Sequence, residues 1–175
     1  VSDTAHNPHI LRWLTGIAAI VVVALDQLSK WWAEDTLKLY AYNPVLGDLL
    51  GWRLVYNPGA AFGLASGYTW VLTLLAAGAV IGLVIFAIRN LRWSWAAGIA
   101  ALLGGAISHL GDRLFREPGF GEGHIVDFID YAGFFVGNVA DLFLVLGAVY
   151  LVSLSLFQKP DVSPQPDELP ERASS

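Results

Sequence analysis

Two acidic residues, Asp127 and Asp141, stand in a stretch with no lysine or arginine between Arg116 and Lys159. Carboxylates brought close together cannot both ionise cheaply, so such a pair holds one proton between them. That arrangement suits peptide-bond hydrolysis: the ionised member takes a proton from water while the protonated member donates to the scissile carbonyl oxygen. Spacing alone leaves the pairing open, because Asp112 with Asp141 satisfies it too. Metal-assisted hydrolysis competes, since His109-x-x-Asp112 and His124-x-x-Asp127 could in principle supply four ligands, although no His-Glu-x-x-His occurs. A serine mechanism fits less well. No Gly-x-Ser-x-Gly is present, and the adjacent Ser108 and His109 would fall on different helix faces. The chain has no cysteine, which removes thiol nucleophiles and disulfide scaffolds.

The elements that must position these groups follow from composition. The 175 residues are 55% hydrophobic and 14% charged, with a formal charge of −5. This excludes a disordered chain and leaves no basic stripe for nucleic acid. It is more apolar than a soluble core of this size, and the class expected is an all-α membrane protein. A bilayer core needs roughly 20 apolar residues in helix, and charge-poor runs predict four transmembrane spans at about 13–33, 68–88, 93–111 and 134–157. Tryptophans near the proposed ends, such as Trp13, Trp31, Trp70 and Trp93, suit the interface. The expected organisation is an N-terminal cytoplasmic segment 1–11, a membrane domain 12–158 and a disordered cytoplasmic tail 159–175 rich in Pro, Ser and acid. The first span lacks a cleavage signature and is expected to be retained. Arg12, Arg89 and Arg92, set against Lys38, Arg53, Arg113 and Arg116, favour both termini in the cytoplasm. Glu34–Gly67 forms an outer segment with a β-type stretch at Trp52–Tyr56, and Asp112–Gly133 forms a second. Gly78-x-x-x-Gly82 predicts a close helix contact.

An ionisable group at the centre of a span costs at least about 2.5 kcal/mol, so each needs a reason. Asp26 falls late in the first span and Asn57 precedes the second. His109, Asp112 and Arg113 end the third, and Asn138 and Asp141 fall early in the fourth. Because successive spans alternate in direction, all of these reach one membrane surface, and Asp127 lies in the loop on that side. Several have ordinary alternatives. Asp26 with Lys30 at i+4 reads equally as a structural ion pair, and Asp112 beside Arg113 could simply end a helix. Glu34, Asp35, Asp48, Glu117 and Glu122 read as solvated charges, and Asp130 as a turn residue. With a helix starting near Phe134, Asp141 falls about seven residues in, roughly 10 Å down.

Six motifs then occur in order: Asp26-Gln27-Leu28-Ser29-Lys30, Asn57-Pro58-Gly59-Ala60-Ala61-Phe62-Gly63, Gly104-Gly105-Ala106, Asp112-Arg113, Ile125-Val126-Asp127-Phe128-Ile129 and Asn138-Val139-Ala140-Asp141. Together, from about Arg12 to Phe157, they resemble the lipoprotein signal peptidase (signal peptidase II) family in an actinobacterial-like variant. The resemblance implies a four-transmembrane-helix bundle with a small extracytoplasmic β-cradle and a loop over the active site. It implies an aspartic endopeptidase that cleaves diacylglyceryl-modified prolipoproteins just before the lipid-bearing cysteine, with no metal and no cofactor. It makes Asp127 and Asp141 the catalytic pair, with Asp26, Asn57, Asp112, Arg113 and Asn138 as polar supports that orient the pair and the substrate. The implied partners are prolipoprotein substrates and membrane lipid, with no nucleic acid, and the implied state is a monomer in the bacterial cell membrane with its site near the outer leaflet.

The chain departs from the family pattern in three places. Ser108-His109 replaces the usual Gly-Asn before Asp112-Arg113, so an imidazole, expected to keep the amide's donor role, takes the place of that amide among the supports. Phe134-Phe135-Val136-Gly137 replaces the usual Pro and Phe before Asn138, and Leu142 follows the second aspartate where Ser is frequent. The rival functions are a small membrane transporter or proton relay, since intramembrane acids also mark ion paths, and a catalytically inactive lipoprotein-binding relative. A relay needs polar steps through the full thickness, and no comparable acid lies towards the cytoplasmic ends.

Overall fold

The structure is a computed structural model and describes residues 8–59 and 66–157. Helices α1 (Pro8–Thr36), α2 (Thr69–Asn90), α3 (Trp93–Phe115) and α4 (Val139–Phe157) are each long and apolar enough to cross a membrane. Strands β1 (Asn43–Leu46), β2 (Leu50–Asn57), β3 (Ile125–Tyr131) and β4 (Phe135–Gly137) form one antiparallel sheet in that order. The expected four-helix architecture with a small sheet is what the chain adopts. The ends of the expected organisation, 1–7 and 158–175, lie outside the described residues, and α1 already begins at Pro8 within the segment assigned to the N-terminus.

Helix α3 is the hub, packed against α1, α2 and α4. Its small residues make this possible. A Cβ at Gly104 would fall 2.5 Å from the Val22 side chain and 2.7 Å from the Ala19 carbonyl of α1, and one at Gly105 would fall 2.7 Å from Leu144 of α4. In lipid, where apolar side chains gain little by leaving their surroundings, such backbone approach is the main source of helix association. Among the described residues the close contact expected at Gly78 and Gly82 is not formed, since a Cβ at either would meet nothing within 4 Å. Spacing puts the two on one face of α2 but does not decide which way that face turns. Gly104→Leu is therefore expected to lower the melting temperature in detergent, at a cost of about 1–3 kcal/mol, while Gly78→Leu leaves it unchanged; equal effects would contradict this packing. The only buried residues of α2 are Thr69 and Thr73, and the face carrying Trp70, Leu74, Leu75, Ile81 and Ile88 is left for lipid.

At 1.5 Å per residue, the 29 residues of α1 span about 43 Å, more than a hydrocarbon core of about 30 Å. Its last turns project past the bundle and carry the sheet. Ala33 packs with Leu54, Val126, Phe128 and Ile129, and Trp32 meets Trp52 and Phe128 edge-on, with centroids 5.5 and 6.1 Å apart. The β-type stretch Trp52–Tyr56 lies within β2, as expected. Alternation along β3 turns Asp127 away from Val126 and Phe128. A bulge in β2, between the pairs Trp52↔Ile129 and Val55↔Asp127, leaves an extra residue beside Asp127, the kind of irregularity that re-aims a side chain.

Two further span boundaries differ from expectation. Helix α3 continues through Asp112 to Phe115, because its terminal charges find partners inside the protein and the helix need not stop where charge begins. Helix α4 starts at Val139 rather than near Phe134. Ala132 and Gly133 both adopt positive φ, 55° and 72°, and Phe134 N–H donates to Tyr131 O at 3.0 Å, as in a hairpin turn that matches strand twist. Phe135–Gly137 then pairs with β3 as β4. An apolar run of aromatic and β-branched residues reads alike as a strand or as the start of a helix. Asp130, expected in a turn, is instead a buried residue of β3; its carboxylate braces the turn that follows by accepting from Gly133 N–H at 2.6 Å, and it also pairs with Arg53 at 2.9 Å.

Candidate active site

Asp127 is 3% exposed and accepts two amides. Asn57 Nδ2 donates to Oδ2 at 3.0 Å and Asn138 Nδ2 to Oδ1 at 2.6 Å. Burial pushes the Asp127 carboxyl up to about 7, and the negative charge of Asp141 acts in the same direction against the two amides that hold it down. The sign of the pH effect follows. Between the ordinary carboxylate range and about 7 the folded chain holds a proton here that the unfolded chain has lost, so this stabilisation is present at low pH and disappears as pH rises through about 7. The melting temperature of Asp127→Asn relative to the parent is accordingly expected to move in the variant's favour between pH 5 and pH 8. A constant difference would contradict the raised carboxyl.

Asp141 lies in the first turn of α4, not about seven residues down. Its backbone N–H donates to Asn138 Oδ1 at 3.1 Å, and its Oδ2 accepts Asn138 N–H at 2.9 Å. This is the reciprocal geometry of a capping box, with Asn138 as N-cap and Asp141 at the third helical position. A third free donor of that helix end, Ala140 N–H, donates to Asp26 Oδ1 at 2.7 Å. Asp26 of α1 thus sets where α4 begins, and with it where the Asp141 carboxylate stands.

Asp26 belongs to a buried network. Lys30 Nζ lies 2.5 Å from Asp26 Oδ2 and 2.7 Å from Asp112 Oδ2, so the i+4 pair read from the sequence forms and is shared with α3. Ser108 Oγ donates to Asp26 Oδ2 at 2.6 Å, and Gln27 Nε2 donates to Ser108 Oγ and to Asp112 Oδ1, each at 2.9 Å. Asp112 Oδ1 also receives Arg116 Nε at 2.7 Å, and Arg116 Nη1 reaches both Glu34 oxygens at 2.8 and 2.9 Å. Glu34 is therefore a paired residue of α1 rather than a solvated charge, and Asp112 pairs with Lys30 and Arg116 rather than with its neighbour Arg113. Gln27, Ser108 and Arg116 were not singled out from the sequence as parts of the site. The signal available for them was their position within or beside the Asp26 and Asp112 motifs.

Arg113, one of the expected polar supports, is committed to the backbone. Its guanidinium donates to the carbonyls of Asn57, Pro58 and Gly123 at 3.2, 2.9 and 3.0 Å, and to that of Gly59. It thereby ties the end of β2 and the loop before β3 to α3, and so holds Asn57 against Asp127. His109 Nε2 lies 3.2 Å from Asn138 Oδ1 and 3.5 Å from Asp141 Oδ1. The two His/Asp pairs do not converge. His124 lines a separate cavity with Glu34, Tyr56 and Arg116, and among the described residues no three His, Asp or Glu side chains are grouped so as to hold a metal ion.

Asp127, Asp141, His109, Arg113 and Asn57 face a common cavity of about 270 Å³, closed on the bundle side by Leu72, Ala76 and Leu144. Its apolar side is made by Leu72 and Ala76 of α2 and Leu144 of α4, and its polar groups come from α3 (His109, Arg113), α4 (Asp141) and the sheet (Asn57, Asp127). A polytopic membrane protein with two carboxylates on a half-apolar cavity, at the end of its bundle where the sheet attaches, is of the class of membrane-embedded enzymes.

Residues 18–157 match the family model described as signal peptidase (SPase) II. The lipoprotein signal peptidase of Mycobacterium avium (strain 104) is 47% identical over 150 residues, covering 86% of this chain and 82% of that one. The lipoprotein signal peptidase of Rhodococcus jostii (strain RHA1) is also 47% identical over 150 residues, covering 85% and 75%. Among solved structures, a bacterial membrane enzyme determined by the in meso method at 2.3 Å resolution superposes with a TM-score of 0.75 at 26% identity, covering 87% of this chain and 93% of that one. The chain belongs to the signal peptidase II family. It is a multi-pass membrane protease of the kind that removes signal peptides from prolipoproteins.

Proposed function

We propose that the protein is an aspartic endopeptidase that cuts diacylglyceryl-modified prolipoproteins just before the lipid-bearing cysteine, using Asp127 and Asp141. The observation that carries this is the pair itself: two carboxylates on one cavity, one buried and pushed up to about 7 partly by the other's charge. Asp127 is the member that holds the proton and donates it to the scissile carbonyl oxygen. Asp141, half-buried and held by the helix start, is the carboxylate that takes a proton from the attacking water. Asn57 and Asn138 orient Asp127, Asp26 and the α4 cap orient Asp141, and Lys30 and Asp112 hold Asp26. Arg113 keeps the β2 end in place.

The apolar wall of Leu72, Ala76 and Leu144 suits acyl chains and a signal-peptide helix arriving from the bilayer, while the sheet side suits the polar chain beyond the cysteine. The sheet end is assigned to the outer leaflet, with both termini in the cytoplasm. Arg89 and Arg92, at the short α2–α3 turn opposite the site, support this orientation. All the named groups come from one chain, which supports a monomer. The test is a pair of synthetic prolipopeptides, one carrying diacylglyceryl on its cysteine and one unmodified. The modified peptide is expected to be cut and the unmodified one not; equal cleavage of both would overturn the lipid-dependent assignment.

A further inference from the structure

His109 is the one residue of the cavity that brings an imidazole to the two aspartates. Its Nε2 faces two oxygens, Asn138 Oδ1 at 3.2 Å and Asp141 Oδ1 at 3.5 Å. The orientation of the Asn138 amide is fixed independently, because Nδ2 donates to Asp127 Oδ1 at 2.6 Å while Oδ1 accepts Asp141 N–H at 3.1 Å. Both neighbours of Nε2 are therefore acceptors, and only a protonated Nε2 makes a favourable contact with either. An Nε2 lone pair would face two oxygens and drive the amide to turn over, which would replace the donor to Asp127 with a second oxygen.

We propose that His109 is a positioning residue of the active site: protonated at Nε2, it donates to Asn138 Oδ1 with the Asp141 carboxylate beside it, and so fixes the amide orientation that supplies Asp127 with its hydrogen bond. This rests on the peptidase assignment above and deepens it. The side chain also adds a third proton-carrying group to the cavity. The charged and titratable groups facing it there are Asp141 from α4, Asp127 from β3 and Arg113 from its own helix, while α2 offers Leu72 and Ala76 and β4 offers Phe135.

Two measurements on the full chain in detergent test this. In protein labelled with 15N in its histidines, with His109 assigned by the resonances missing from His109→Asn, the Nε2 of His109 is expected to be protonated near neutral pH. An unprotonated Nε2 overturns the proposal whatever the activity. In cleavage of the diacylglyceryl prolipopeptide, His109→Ala is expected to lower kcat by about 10- to 100-fold, as small misplacements of reacting groups do, with little change in KM. His109→Asn, which restores an N–H donor, is expected to recover most of that loss. A fully active His109→Ala, or a His109→Asn no more active than His109→Ala, overturns the proposal. If His109→Ala does not fold, the asparagine variant and the 15N spectrum still decide. If the parent protein fails to cleave, the peptidase assignment falls while the 15N result still reports on the hydrogen bond.

Discussion

Asp127→Asn and Asp141→Asn are each expected to lower kcat for prolipopeptide cleavage by about 10³-fold, within the range that general acid–base groups contribute, with the fold retained. In the proposed mechanism Asp127 is the proton donor, and an amide in its place has no proton of comparable acidity to give the scissile carbonyl. Its hydrogen bonds also go wrong, because Asn57 and Asn138 both present donors and the new amide would set its own N–H2 against one of them. Asp141→Asn removes the carboxylate proposed to take a proton from water, yet an asparagine oxygen can still accept Asn138 N–H and keep the helix cap. The loss should therefore appear in turnover, with helix content by circular dichroism unchanged. Retention of a tenth or more of the parent's kcat in either variant would contradict the assignment of the pair.

The largest effect on stability is expected at Lys30. Its ammonium is fully buried between Asp26 and Asp112. Lys30→Met leaves these carboxylates without that charge, and breaking one side of a buried pair costs about 3–5 kcal/mol. Asp112 keeps Arg116 at 2.7 Å, so Asp26 is the group left exposed to the full cost. The melting temperature in detergent should fall by on the order of 10 °C. Adding Asp26→Asn should recover about half of that loss or more, because the pair is coupled and an asparagine oxygen can still accept Ala140 N–H. Additive losses in the double variant would contradict the network. The cleavage rate should follow stability, since Asp26 sets the start of the helix that carries Asp141.

The helices were legible because lipid enforces a simple rule: a span must be long and nearly free of charge, and four stretches obey it. The convergence of Asp26, Asn57, Asp112, Asn138 and Asp141 at one surface was legible for a related reason, since polar groups in a membrane are too costly to be scattered and alternating spans fix which ends share a side. What charge cannot report is where an apolar segment changes conformation. Phe134–Val136 is as apolar as the helix that follows, so the β3–β4 hairpin went unread and Asp141 was placed too deep. Pairing across the sequence was equally hidden. Glu34 and Arg116 meet only because α1 and α3 overhang the bundle together. Arg113 spends its donors on carbonyls, which every residue carries and no motif marks. His109 could be seen to differ from the family pattern, but its direction of donation depends on how Asn138 is held, which only the fold supplies.

The most direct test of the central claim is mass-spectrometric mapping of the bond cut by the purified parent protein in a diacylglyceryl prolipopeptide, in detergent containing EDTA. The two aspartates account for the chemistry if cleavage falls just before the lipid-bearing cysteine and proceeds at the same rate with and without the chelator. Loss of cleavage on adding EDTA, or cleavage at another bond, would contradict it.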